Sequence, residues 1–498
     1  MKTDFKEGFL AYVIGDYSVA LEKWTPLAEK GAAEAQVNLG IMYAKGQGVE
    51  QDHAEAVRWY SLAAEQGSAK ARFNLGVMCE DGRGVEQDPA QAAKWYEQAA
   101  NQDYVPASYA LGLLHRHGRG VPQGHDQAMR WFRKAAEKDH AKAQCALGAM
   151  YDDDAGVGRD PAQAINWYQQ AAQQDHAPAC YYLGRMYDDG RGVTANNKLA
   201  MRWYRAAAEQ HYAPACYSLA LMYQRGLGTS RDDARALIWL RKAANENHGD
   251  ALCALGAMYE HGRGVKKNFD QALNWYRLAA KHDHPAGCHA LAAMHEHGRG
   301  VQADLAEAAK RYRYAAEVGY AASSYQLGLM QRAGRGVAKD DKRAIELVRE
   351  AAEKGHPPAC CDLGSCYLKG DGVPQDYGQA AKLFRQAADQ GYAPACESLG
   401  LVHAKGLGVA PDVDEAVAWL CKGAELGHAG AQYSLAVMHA NGHGVERDLV
   451  EAYMWLQLAV SQGNSQALNI RGAIGKRLTP AQLNEAEARA RDWAPAAG

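Results

Sequence analysis

A period of 36 residues constrains this chain more than any other feature. The triplet Gly46-Gln47-Gly48 returns as Gly82-Arg83-Gly84 and Gly118-Arg119-Gly120, and keeps that phase to Gly442-His443-Gly444. Twelve contiguous copies, repeats one to twelve, run from about Ala32 to Gly463 without insertion or deletion. A fixed period in this range builds a solenoid, because one unit cannot bury its own apolar face and must stack on its neighbours. A solenoid lengthens its core instead of thickening it. It therefore escapes the limit of roughly 250–300 residues at which globular cores stop growing. The expected object is a long binding surface.

Within the first copy, Ala33 to Lys45 places Ala35, Leu39, Met42 and Tyr43 on one helical stripe. Gly46 stands where a left-handed residue ends the helix, and Gln47-Gly48-Val49 complete the break. Asp52 is placed to cap the next helix and recurs as Asp88, Asp160, Asp232, Asp304, Asp340, Asp376, Asp412 and Asp448. That helix carries Ala56, Trp59, Tyr60, Ala63 and Ala64 and stops at Gly67, so each unit reads as an antiparallel helix pair. Alanine fills the Ala56 column in all twelve copies, marking a crossing that tolerates no larger side chain. The second loop glycine is present in all twelve and the first in eleven; Asp154 is the exception. The tryptophan column (Trp59, Trp95, Trp131, Trp167, Trp203, Trp239, Trp275, Trp419 and Trp455) reads as core. Between about 308 and 384 it fails, with Arg311, Leu347 and Leu383 in its place and Val348 and Phe384 beside it. Local repacking, or a change of curvature or a contact site, would account for that.

The pattern Ala-x-x-x-Leu-Gly-x-Met-Tyr (Ala35 to Tyr43), Gly-x-Gly-Val (Gly46 to Val49) and Ala-x-x-Trp-Tyr-x-x-Ala-Ala (Ala56 to Ala64) resembles the Sel1-like repeat family. The resemblance implies an all-α, right-handed superhelical solenoid close to the tetratricopeptide arrangement. It also implies use as a scaffold or adaptor, often in bacterial signalling or host interaction. One branch of that family clips its helices with intra-repeat disulfides at a seven-residue gap, a spacing this chain lacks. The expected organisation is a capping helix pair at 1–31, twelve repeats at 32–463 and capping helices at 464–498. The caps should act as polar lids over the end repeats. Ala20 and Trp24 fall on the Ala56 and Tyr60 columns, and Thr479-Pro480-Ala481-Gln482 spells a capping box with proline at the first helical position.

Composition removes several classes. With a formal net charge of -3 there is no basic field for nucleic acid and no polybasic tail for a membrane. Met1-Lys2-Thr3-Asp4-Phe5 lacks the apolar run of a signal peptide, and no apolar stretch reaches the roughly 20 residues that span a bilayer. Eleven cysteines form an odd set, and Cys180, Cys216, Cys288, Cys360 and Cys396 share a column as small buried hydrophobes. A soluble, cytoplasmic monomer in a reducing compartment is expected. Export as an effector without an ordinary signal stays open.

No chemistry-bearing motif emerges. The pairs His115/His117 and His295/His297 sit two apart, no His-Glu-x-x-His appears, and no cysteine–histidine zinc spacing occurs. His140, His176, His248, His284, His356 and His428 alternate at the repeat junction with Tyr104, Tyr212, Tyr320 and Tyr392, so that position wants a flat ring with a polar edge. The Gly-x-Gly turns follow helices and lack the residues of a nucleotide loop. The expectation is no metal, no cofactor and no catalysis.

Binding residues are sought instead on the first helices, at columns turned away from the core stripe. The Val37 column holds Tyr109, Tyr181, Tyr217, His289 and Tyr325. The Ile41 column holds Arg185 and Leu221, and the Ala44 column Arg116, Asp152 and Asp188. Tyrosine flanked by apolar and charged residues is the composition of hot spots. With Asp153 and Asp189, these residues form the expected concave groove for a peptide or protein partner, the acidic run being able to receive a basic segment. The alternative role is an immunity-type inhibitor that wraps a toxin or enzyme domain.

Overall fold

The computed structural model describes residues 2–153 and 158–495, so Asp154 lies outside the described residues. Among them are 28 α-helices and no strand. They fall into two compact units, Met1–His248 and Gly249–Gly498, divided at the junction of repeats six and seven. Within each unit every repeat is a pair of helices, such as Ala33–Lys45 and His53–Glu65 in repeat one. Gly46 has φ 67° and closes the first helix in the left-handed region, while Asp52 accepts the Glu55 amide and opens the second. The second loop glycine combines positive φ (73° at Gly48) with contact: a Cβ there would press on Tyr17 in the helix pair before it.

The Ala56 column is buried throughout, as at Ala164 and Ala308, each 0% exposed. The tryptophan column differs from its reading as core. Trp59 and Trp455 are buried, but Trp95, Trp131, Trp167, Trp203, Trp239, Trp275 and Trp419 are half-buried. The deepest ring is the next residue along, at Tyr96, Phe132, Tyr168 and Tyr204. It lies flat on the first helix because glycine faces it: a Cβ on Gly184 would sit 2.7 Å from the Tyr204 ring. In the irregular stretch the core is kept with other side chains, since Leu347, Val348 and Phe384 are all buried and Arg311 pairs with Glu307 at 2.6 Å.

At the ends, Lys2–Val13 and Tyr17–Glu29 precede repeat one, with Ala20 and Trp24 buried. Ser465–Gly475 and Pro480–Asp492 follow repeat twelve, Thr479 and Gln482 form the capping box, and Trp493 packs edge-on against Trp455. The first helix is not the polar lid expected, for Phe9, Leu10 and Val13 are exposed, as is Ile14 just after it. The eleven cysteines stand as free thiols. In the shared column Cys216 and Cys360 direct Sγ to the last-turn carbonyls of Ala208 and Ala352, as Gln36 and Gln144 do with their amides toward Ala28 and Ala136. No helix among the described residues is long and apolar enough to cross a membrane.

Candidate protein-binding site

Two sets of contacts tie neighbouring repeats together along the first helices. In the first, the side chain of the Val37 column lies against the residue that opens the following repeat. Ring centroids are 5.1 Å apart for Tyr109 and His140, 5.5 Å for Tyr181 and Tyr212, and 5.1 Å for Tyr217 and His248. His289 and Tyr320 are 5.3 Å apart, and Tyr325 and His356 5.4 Å. The same rings also touch the buried aromatic of their own repeat, Tyr109 on Phe132, Tyr181 on Tyr204 and His289 on Tyr312. A junction that accepts histidine or tyrosine is thus a rung that needs a flat ring at an offset. Although this column turns away from the core stripe, packing within the ladder leaves these side chains half-buried.

At two positions where that column lacks a ring, the contact is polar. Glu397 lies 2.8 Å from His428 Nε2, and Cys253 Sγ 3.3 Å from His284 Nδ1, whose Nε2 is 3.3 Å from Asp250. The last set has the order of a nucleophilic triad. However, burial and the Asp250 charge push the Cys253 thiol up to about 12, which leaves almost no thiolate near neutrality. Among the described residues no cluster of three or more His, Cys, Asp or Glu could hold a metal ion.

The second set joins the Ala44 column to the middle residue of the next glycine turn. Glu80 accepts the Tyr96 hydroxyl at 2.8 Å and pairs with Arg119 at 3.0 Å. Glu260 takes Tyr276 and Arg299 at 2.9 and 2.7 Å, and Glu296 takes Tyr312 and Arg335, each at 2.9 Å. These carboxylates belong to the fold. So does Asp152, 7% exposed, which meets Arg191 at 2.6 Å. Arg191 also reaches Asp189 through Nε at 3.1 Å, and Asp188 accepts the Tyr204 hydroxyl at 3.2 Å.

The first helices of repeats three to five enclose an open cavity of about 580 Å³. Tyr109, Arg116, Asp152, Asp153 and Arg185, all expected on a binding face, line it together. Tyr181, Asp188, Asp189, Tyr217 and Leu221 lie outside the lining, while His289 and Tyr325 belong to the ladder of the second unit. Lys142, Cys145, Tyr168, His176, Tyr182 and Arg191 also line it and were not among the expected binding residues. Tyr182 had a signal, being the one aromatic in a column otherwise of Asn, Ala, Ser, Gln and Asp. It stacks on Tyr168 at 5.4 Å. Burial lowers the affinity of His176 for a proton, and the Lys142 charge and His140 push the same way. Burial raises the Cys145 thiol to about 12, against the pull of Arg116.

A stack of helix pairs linked by stacked rings and acid–arginine rungs, with a cavity among its first helices, defines a helical-repeat solenoid. Residues 33–464 match the Sel1 repeat family model as twelve consecutive copies, 33–68, 69–104 and so on to 429–464. The chain belongs to the Sel1 repeat family, a solenoid fold generally used as a protein-interaction scaffold. Among solved structures it is similar to a protective antigen of uropathogenic Escherichia coli strains that displays an SLR fold. The two are 34% identical, with 88% of this chain and 94% of that one covered and a TM-score of 0.55. It is also similar to a Sel1 repeat protein from Oxalobacter formigenes, at 29% identity over 64% of this chain and 93% of that one, with a TM-score of 0.52. No curated protein matches it significantly in sequence.

Proposed function

We propose that this protein is a non-catalytic scaffold or adaptor that holds a peptide or protein partner against the first-helix face of repeats three to six. The observation that carries the reading is the cavity among Tyr109, Arg116, Asp152, Asp153 and Arg185. It combines aromatic walls with charged groups, the make-up of a hot spot, and it is too open for the dry enclosure that catalysis needs. Tyr181, Asp188, Asp189, Tyr217 and Leu221 continue the same face and position its rings. His289 and Tyr325 give the second unit a lesser version of it. The helix pairs at 1–31 and 464–498 act as end caps around the twelve repeats. A bacterial, cytoplasmic monomer without metal, cofactor, nucleic-acid contact or membrane insertion fits the composition.

Site-specific photo-crosslinking in host extract tests this. A crosslinker at position 109 or 185 should trap a partner protein that one at the exposed second-helix residue Ile238 does not. Adducts formed from position 238 alone would move binding to the other face.

A further inference from the structure

The acidic run that drew attention in the sequence is largely engaged within the fold. Asp152 and Asp189 both hold Arg191, and Asp188 holds the Tyr204 hydroxyl. The charges that line the cavity are chiefly of the other sign: Arg116, Lys142, Arg185 and Arg191 against Asp152 and Asp153. The register rule of the acid–arginine rungs explains the surplus. A residue of the Ala44 column meets the middle residue of the next glycine turn, so Glu80 meets Arg119 and Glu296 meets Arg335. Arg332 stands in the same column as Arg116; it donates to Cys366 Sγ at 3.4 Å, and the charge of Asp371, the residue one register on, adds to that attraction. For Arg116 the residue at the same sequence offset is Ala155, which lies outside the described residues. Among the described residues Arg116 has no ion-pair partner, and Nη2 of Arg191 is buried without an acceptor.

Resting on the scaffold reading of this face, we propose that the cavity of repeats three to five binds an acidic segment of a partner protein, seating an Asp or Glu carboxylate among Arg116, Arg185 and Arg191. Guanidinium groups suit a carboxylate because they present planar pairs of donors. Arg191 is already positioned by Asp152 and Asp189, which lowers the entropy lost when a ligand arrives. The rings of Tyr109, Tyr182 and His176 form the walls for the apolar residues that flank such a carboxylate. The inferred ligand therefore alternates acidic and apolar side chains, opposite in charge to a segment drawn by the acidic run. Charge would speed its encounter, and salt would weaken it.

The experiment uses the full chain and two fluorescein-labelled peptides of equal length, one alternating Glu and Leu and one alternating Lys and Leu, read by fluorescence anisotropy. The Glu-Leu peptide should bind and weaken as salt rises. The double variant Arg116→Glu with Arg185→Glu should cost at least about tenfold in affinity, since hydrogen bonds to charged partners are the strong ones. Lys310→Glu, on an exposed second-helix position, should leave affinity unchanged. Melting curves confirm that the variants are folded. Preference for the Lys-Leu peptide, lost in Tyr109→Ala with Tyr182→Ala, would overturn the acidic ligand and leave the binding face standing. Glu-Leu binding that ignores the Arg pair and falls in Lys310→Glu would overturn both. Binding of neither peptide overturns the acidic ligand alone, the face then resting on the crosslinking result.

Discussion

Repeats seven to nine and repeats three to five are built on the same columns and use charge differently. In the former, Glu260 and Glu296 each carry a tyrosine hydroxyl from their own repeat and an arginine from the next turn, so both carboxylates have structural partners. In the latter, Asp152 takes Arg191 from the next turn, but Arg116 stands in a column that elsewhere holds acids and has no ion-pair partner among the described residues. One repeat chemistry thus closes the surface in one place and leaves a cationic cavity in another. Here specificity comes from breaking the repeat, whereas stability comes from keeping it.

That contrast can be pressed at three depths. At the helix crossings the regions should not differ at all: Ala164→Leu and Ala308→Leu each fill a fully buried position and should each cost about 1–3 kcal/mol by overpacking. Thermal or denaturant melts that spare one of the two would show that the cores are not equivalent. In the charge layer they should part. Glu296→Ala strips partners from the buried Tyr312 hydroxyl and from Arg335 and should cost about 1–3 kcal/mol. Arg116→Ala should stay within about 0.5 kcal/mol, as surface changes usually do. A destabilising Arg116→Ala would make that arginine part of the frame and end the contrast.

The smallest effect concerns acid. Burial holds His289 down to about 4, with the His356 charge acting in the same sense, against an ordinary value of 6.5. Between those values the unfolded chain takes a proton that the folded chain refuses. The stability present above about pH 6.5 is therefore lost as pH falls toward 4. His289→Tyr, which installs the ring found at Tyr109 and Tyr181, should flatten that loss when denaturation midpoints at pH 7 and pH 4.5 are compared. An unchanged slope would assign the acid sensitivity elsewhere.

Much of this molecule can be read from short stretches of chain. Gly46 and Asp52 declare the end of one helix and the start of the next through their own backbone and side-chain chemistry. Depth was harder to read. Trp59 and Tyr60 are neighbours about 100° apart on a helix, and either could face the partner helix. The clue lay on that partner, in the Gly40 column that leaves room for the Tyr60 ring. The cavity was only half legible, because it depends on register between repeats. Arg191 reads as a turn residue until the structure brings it beside Asp152, 39 positions away. Tyr182 gives itself away only against its own column.

The rung between Glu296 and Arg335 also bears on how such an array grows. When a repeat is duplicated in tandem, its own acid comes to face its own turn residue in the new copy. Repeats seven and eight carry Glu260 with Arg263 and Glu296 with Arg299, so their copies would assemble with matched rungs however often they were made. Repeat nine carries Arg332 with Arg335, and its duplicate would set cation against cation. The chain therefore holds some units that can be multiplied by unequal crossing-over and others that fix its length, a distinction written in two residues per repeat.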